Sequence, residues 1–219
     1  HNFCIVELGG FYLDVLKDRL YTTPAHGLAR LSAQTAMYHI AEALVRWLAP
    51  ILCFTAEEIW AALPGERPPS VMLGQWHQLP HVEAGANDPD WPRILEVREA
   101  VAKELERLRE NGVIGSALEA DVTLYCDGAL RDSLNDLGEE LRFVLITSEA
   151  RVRAGTDRDP AASAAESIDG LWIGAVASAD PKCSRCWHRR ADVGSDATHP
   201  EICGRCISNL AAGETRRFA

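Results

Sequence analysis

At 219 residues, 47% of them hydrophobic, the chain is long enough to bury a core and to hold one large domain or two to three small ones. No apolar run approaches the roughly 20 residues that span a bilayer, since the richest, Leu44 to Phe54, carries Arg46 and Pro50; no membrane role is expected on this reading. A formal charge of −10 argues against an extensive nucleic-acid surface, but residues 181–219 hold seven basic and four acidic side chains, a net of +3, so any RNA contact is expected to be local.

The opening residues show no basic start, apolar middle and small-residue cleavage site, and a chain beginning at His1 reads as part of something longer. Phe3, Val6, Leu13, Leu16 and Leu20 fall at helical spacing, with Glu7, Asp14, Lys17 and Asp18 on the other side, and predict an amphipathic helix. Thr23-Pro24 reads as the start of a second helix, whose face runs from Leu28 to Leu48 and which Pro50 stops or kinks. Thr55 to Glu58 has capping-box spacing and predicts a third helix through Ile59, Trp60 and Leu63. Six of the eleven prolines lie between Pro64 and Pro92, an extended connection that Trp76 and Trp91 are expected to pin to the surface. Ile94, Val97, Val101, Leu105 and Leu108 predict a helix that Asn111-Gly112 closes, with Glu99 and Lys103 paired one turn apart.

Val122, Leu124 and Cys126 alternate as in a strand, Leu130, Leu134 and Leu137 mark a short helix, and Phe143 to Ile146 and Leu171 to Val176 read as further strands. The Ala-, Asp- and Ser-rich stretch from Ala154 to Ser167 has no period and reads as a mobile loop. The expected fold is mainly α: a helical bundle over 1–63, the Pro-rich connection over 64–92, a helix with a small α+β unit over 93–178, and a four-cysteine zinc module over 179–219.

The strongest chemical signal is Cys183-Ser-Arg-Cys186, sixteen residues, then Cys203-Gly-Arg-Cys206. Two such knuckles offer two thiolates each, as tetrahedral zinc requires, and leave no open position for catalysis, so one structural zinc is expected. Paired disulfides or a redox dithiol fit less well, and His188 or His199 in place of one cysteine remains an alternative. Cys4, Cys53 and Cys126 are scattered singly, a usage that suits a reducing compartment. Lys182, Arg185 and Arg205 have two readings, compensation of the thiolate charge or, with Arg189, Arg190, Arg216 and Arg217, a patch for RNA phosphates. Trp187 either stacks on an unpaired base or packs the small module's core. There is no G-x-S-x-G, P-loop or H-E-x-x-H pattern, and His26, His39, His77 and His81 share no metal spacing.

Phe11-Tyr-Leu-Asp14, Lys17-Asp-Arg-Leu-Tyr21, Ser32-Ala-Gln-Thr35, Trp47-Leu-Ala-Pro50 and Phe54-Thr-Ala-Glu-Glu-Ile-Trp60 resemble the anticodon-binding helical bundle of class I aminoacyl-tRNA synthetases for isoleucine, valine and leucine. Gly115 to Leu124, the Cys-Ser-Arg-Cys-Trp-His and Glu-Ile-Cys-Gly-Arg-Cys segments and the closing Phe218-Ala219 narrow the resemblance to the C-terminal part of bacterial isoleucyl-tRNA synthetases. The resemblance implies a cytoplasmic, monomeric ligase of protein biosynthesis with tRNA for isoleucine as its partner. ATP is bound only in a catalytic domain whose nucleotide-binding signatures, like the editing domain, have no counterpart here. It further implies tRNA contacts through Lys17, Arg19, Arg30 and Gln34 of the bundle, joined by Lys182, Arg185, Trp187, Arg189, Arg190, Arg205, Arg216 and Arg217 of the tail, and no catalytic residue in this chain. The alternative reading is a stand-alone zinc ribbon that binds RNA or a protein.

Overall fold

The computed structural model describes every residue except 83, 84, 86, 87, 212 and 219, so four positions of the Pro-rich connection and two of the tail lie outside the described residues. The chain opens with Phe3–Tyr12, wound with π-type pairing, and passes straight into α1 (Leu13–Thr22). Only the α1 half is amphipathic in the sense expected: Val15 and Leu16 are buried, whereas Phe3, Ile5 and Val6 stay exposed. Thr22 and Thr23 end α1 by donating their hydroxyls to the carbonyls of Asp18 (2.8 Å) and Arg19 (2.6 Å). Thr23-Pro24 therefore belongs to a helix end, and α2 (Leu28–Leu48) starts later, after Gly27.

The third helix, α3 (Cys53–Ala62), begins before Thr55 and has no side-chain cap, so the capping box that the spacing suggested does not form. Between α2 and α3 lies a small core of Val45, Ala49, Ala56, Trp60 and Val71. The Trp60 ring is sandwiched by the guanidinium groups of Arg46 (4.6 Å) and Arg67 (4.5 Å), both held by the buried carboxylate of Glu42. Its indole N–H donates to Pro68 O at 2.8 Å, which fastens the start of the Pro-rich connection. Farther along, His77 meets His39 of α2, ring nitrogens 3.0 Å apart. Trp76 does not pin the segment; it is exposed, and Trp91 instead packs on Phe11 at the start of the next helix.

That helix, α4 (Trp91–Glu110), is capped by the Asp90 carboxylate, which accepts from Arg93 N at 3.2 Å, and Gly112 (φ +68) turns the chain after it. The Glu99–Lys103 pair forms at 3.3 Å. One face of α4 buries Ile94, Val97, Val101 and Leu105 against a four-stranded sheet. Its strands are β1 (Ala120–Tyr125), β2 (Glu149–Arg153), β3 (Ser163–Ala164) and β4 (Trp172–Ala177), in the order β2-β1-β4-β3. β1 runs parallel to β2 and antiparallel to β4, with Leu124 opposite Val152 and Ile173. Parallel neighbours need a crossover, supplied here by α5 (Gly128–Asp136) and α6 (Leu141–Leu145). Leu124, Leu134, Val144 and Leu171 are buried in this core, and truncating one such leucine to alanine costs about 2–5 kcal/mol.

Two expectations fail in this unit for identifiable reasons. Residues 143–146 are not a strand: they end α6, and Ile146 takes left-handed backbone (φ 57) that stops it. The parallel partner of β1 is Glu-Ala-Arg-Val-Arg at 149–153, whose charged outer face hides it in the sequence. Residues 154–167 are not structureless either, because they hold a 3-10 turn at Gly155–Asp157 and then β3, which pairs with β4 at Ser163↔Ile173. Arg98 ties the parts together by donating to Val144 O (3.0 Å) and Gly10 O (3.1 Å). The tail carries the last helix, α7 (Gly204–Ala211). No helix among the described residues is long and apolar enough to cross a membrane.

Candidate functional site

The two knuckles close on each other at the C-terminal end. In the first, Cys183 N donates to His188 O (2.9 Å) and Trp187 N to Cys183 O (3.0 Å), a tight turn that brings Cys183 and Cys186 to one side. In the second, Cys203 precedes α7 and Cys206 lies in its first turn, with Ile207 N bonded to Cys203 O at 3.0 Å. Ser184 N donates to Glu201 O (2.9 Å) and joins the knuckles. Gly204 N donates to Asp192 Oδ2, and a Cβ on Gly204 would stand 2.7 Å from that oxygen and push the Asp192 carboxylate aside.

All four Sγ atoms lie within 4.8 Å of one another, and all four cysteines are buried. Cys183 and Cys206, and Cys186 and Cys203, are 3.8 Å apart at sulfur. A disulfide would need about 2.05 Å. Four sulfurs on a tetrahedron with zinc–sulfur bonds of about 2.3 Å would stand about 3.8 Å apart. The donor set therefore fits one structural zinc, with every position of the tetrahedron taken. His188 does not replace a thiolate, since it is buried with Nδ1 3.2 Å from Cys186 O and its ring edge-on to Phe143; His199 is exposed.

The zinc module is docked, not free. Arg205, between the second pair of cysteines, puts both arms on the Asp18 carboxylate of α1 at 2.7 Å. Arg216 joins the same carboxylate, and Glu214 accepts from Arg205 (3.1 Å) and Arg216 (3.0 Å). Burial alone would raise the Asp18 pKa, but the Arg205 hydrogen bonds and the Arg205 and Arg216 charges outweigh it and hold the carboxyl well below the usual carboxylate range. Arg205 is raised in turn by Asp18 against its own desolvation. The Phe143 ring lies between Arg142, Arg205 and Arg216, and burial, with the charges of Arg205 and Arg190, pushes Arg142 down to about 10.

The basic residues singled out in the sequence thus divide. Arg205 and Arg216 are part-buried against Asp18 and Glu214; Arg19 is buried 4.0 Å from Glu140. Arg185 donates to Thr22 O (2.7 Å), Arg190 to Glu149 (2.8 Å), and Arg189 to Asp180 O (3.2 Å) while its backbone N–H meets Ser148 Oγ. Arg217 lends its backbone N–H to Glu140 and is otherwise exposed. Lys17, Gln34 and Lys182 are exposed and Arg30 half-buried on α2. Trp187 is not in a core: its ring is 59% exposed with Lys182 Nζ 5.6 Å from its centre. What sequence reasoning missed was the acidic half of the docking surface, above all Asp18, which stands 187 positions from its partner.

Fold and site together define a helical, zinc-bearing module in which a compact four-thiolate tail is clamped to the first helix of a bundle. Residues 1–124 match the family described as anticodon-binding domain of tRNA ligase, and residues 180–209 match a zinc finger found in FPG and IleRS. The chain belongs to the anticodon-binding domain family of tRNA ligases, and its tail to that zinc-finger type. It is 57% identical to the isoleucine–tRNA ligase of Halorhodospira halophila and 56% identical to those of Thioalkalivibrio sulfidiphilus and Pseudomonas putida, over all of this chain and 24% of each relative. The chain spans about a quarter of the length of the curated relatives it matches.

Proposed function

We propose that this chain is the tRNA-binding, anticodon-region part of an isoleucine–tRNA ligase, in which the whole protein attaches isoleucine to its tRNA at the expense of ATP. The observation that carries the reading is the pairing of an anticodon-binding match over residues 1–124 with a tail whose four thiolates fit zinc. On this reading Cys183, Cys186, Cys203 and Cys206 hold the zinc, which fixes the two knuckles and makes no bond to RNA. Zinc supplies the folding energy that a tail of some 40 residues cannot draw from its own small core.

The boundaries that suit this division of labour are a bundle over 1–63, a connection over 64–92, an α+β unit over 93–178 and the zinc module over 179–219. The geometry supports two roles for the basic side chains. Arg205 and Arg216 serve the docking of the tail, because a guanidinium already bonded to a carboxylate has few donors left for phosphate, and Arg19 is withheld from RNA by its burial 4.0 Å from Glu140. Lys17, Arg30, Gln34, Lys182 and Arg217, with the outer faces of Arg185, Arg189 and Arg190 and the Trp187 ring, are the residues available to RNA. Their task is binding energy and orientation, which in the whole enzyme presents the far end of the tRNA to activated isoleucine. We further infer that the whole protein works as a cytoplasmic monomer.

The test is a titration of the zinc-loaded protein with tRNA for isoleucine and with a tRNA of another identity. Tighter binding of the first supports the reading, and equal, weak binding of both contradicts it. The sequence carries no P-loop pattern, and on this reading ATP is bound in another part of the whole protein, so this chain by itself should give no isoleucine-dependent pyrophosphate exchange.

A further inference from the structure

The far half of the Pro-rich connection hangs on one bond. Upstream, the segment is fastened three times: Arg67 donates to Glu42 at 3.0 Å, Pro68 O accepts from Trp60, and Ser70 Oγ and Val71 N donate to the Glu57 carboxylate. Downstream, the chain is next held at Trp91, where the ring meets Phe11 and the Asp90 cap opens α4. Between Gly74 and Asp90, among the described residues, the His39–His77 bond is the one side-chain hydrogen bond to the bundle, and Trp76, Leu79 and Val82 lie exposed on either side of it.

A proton acts on that bond as on none of the other fastenings. A hydrogen bond between two imidazoles needs one N–H and one bare lone pair, and His39 Nδ1 and His77 Nε2 stand 3.0 Å apart with ring centroids 5.2 Å apart, so the two half-buried rings meet nitrogen to nitrogen. In the neutral pair, whichever ring donates keeps a lone pair on its outer nitrogen. The first proton settles there, and the bond becomes charge-assisted. The second has only the accepting nitrogen left: it removes the lone pair on which the bond depends and sets two N–H groups and two positive rings against each other. Little among the described residues offsets that charge. Glu42 lies about one turn along α2 but is shared by Arg46 and Arg67, one carboxylate against two guanidinia; burial alone would raise its pKa, but their hydrogen bonds lower it, so it stays ionised. Tyr38 presents a neutral ring 5.8 Å from that of His39, and Glu57 of α3 is taken by Ser70 and Val71. Burial, then Arg46 and His39, depress the His77 pKa against the opposing pull of Glu42.

We propose that the His39–His77 pair is a proton-operated latch, which holds the far half of the connection on α2 while the pair carries no extra proton or one, and releases it when both rings are charged. The released segment binds one more proton than the latched one. The latch is therefore complete above the ordinary histidine range, about pH 6.5, and weakens as the pH falls below it. With one proton linked, the ratio of released to latched chain rises by about tenfold per pH unit below that range. The upstream fastenings contain no histidine, so release stops at Leu73 and leaves the small core around Trp60 closed. The part of α2 that it uncovers is that of His39 and Tyr38, one turn on from Gln34.

The test is nuclear magnetic resonance of the whole, zinc-loaded protein, with backbone order parameters for residues 75–82 read at about pH 7.5 and about pH 5 and zinc content measured at both. In the wild type the order around His77 should fall from near the rigid value of about 0.85 to below about 0.6 as the pH drops. His77→Gln places an amide where Nε2 stands, and an amide accepts from a charged His39 as well as it donates to a neutral one, so this variant should stay ordered at both pH values. His77→Ala has no partner to offer and should be loose at both. Equal order in the wild type at the two pH values would overturn the latch, and so would a loss of order at low pH that His77→Gln shares, since another group would then be the trigger. Order that survives His77→Ala at about pH 7.5 would show that the bond does not hold the segment, and loosening that tracks loss of zinc would assign the effect to the tail instead.

Discussion

Replacing Asp18 by alanine removes the one carboxylate on which the tail's docking converges. Asp18 is 12% exposed at its side chain and receives both arms of Arg205 at 2.7 Å as well as Arg216. Removing one partner of a buried pair typically costs about 3–5 kcal/mol because the other charge is left buried. Here Glu214 still accepts from Arg205 at 3.1 Å and from Arg216 at 3.0 Å, so neither cation is stranded, and the expected loss is nearer to about 2–3 kcal/mol. Urea unfolding of the zinc-loaded protein at pH 7 measures the loss, and hydrogen exchange should place it in α1 and residues 203–217. The pH dependence has a definite sign. The carboxyl is held well below its unfolded value of about 3.9, so its stabilisation is complete above that value and is lost as the pH falls through the folded one. The stability gap between wild type and Asp18→Asn should therefore be flat from about pH 8 to 5 and shrink below about 4. A loss under about 0.5 kcal/mol, the size of an ordinary surface pair, would refute the claim that this network docks the tail.

Other consequences are as direct. Protein purified without chelator should hold one zinc per chain, and Cys203→Ser should lose it and the protection of residues 180–209 while the helices of 1–63 persist by circular dichroism; well under half an equivalent of zinc in the wild type would speak against the site. Glu42→Gln should cost about 1.5–3 kcal/mol, because the carboxylate that orients Arg46 and Arg67 around Trp60 is buried, and Trp60 emission should shift with it. RNA binding should weaken with salt on a shallow slope that reflects only a few phosphates, since most tail arginines are engaged internally; a slope corresponding to eight or more contacts would contradict that assignment.

How far the molecule can be read from its sequence depends on how local each signal is. The zinc ligands are legible because chelation by a knuckle is a four-residue pattern, and the 3.8 Å sulfur spacings follow from it. α4 is legible because five apolar residues keep helical period up to an Asn-Gly stop. α6 is misread because an apolar run of five or six residues fits a strand and a buried helix equally, and only the left-handed turn at Ile146 decides. β2 escapes notice because two arginines and a glutamate occupy its outer positions while Ala150 and Val152 pack inward. The fate of the arginines is the least legible of all. Nothing near Arg205 announces Asp18, and nothing near His39 announces His77, since both pairings arise only when distant segments meet. Charge counted along the chain suggested a basic patch, and the folded chain spends much of that charge on itself.

The central claim is that the zinc-fixed tail and the bundle act as one RNA-binding surface. Binding of tRNA for isoleucine to the zinc-loaded protein, compared with Cys203→Ser at the same salt, tests it most directly. The account predicts that wild type binds this tRNA more tightly than a tRNA of another identity and that Cys203→Ser loses at least tenfold in affinity together with the preference. Equal affinity and equal preference in a zinc-free Cys203→Ser protein would show that the tail takes no part in recognition.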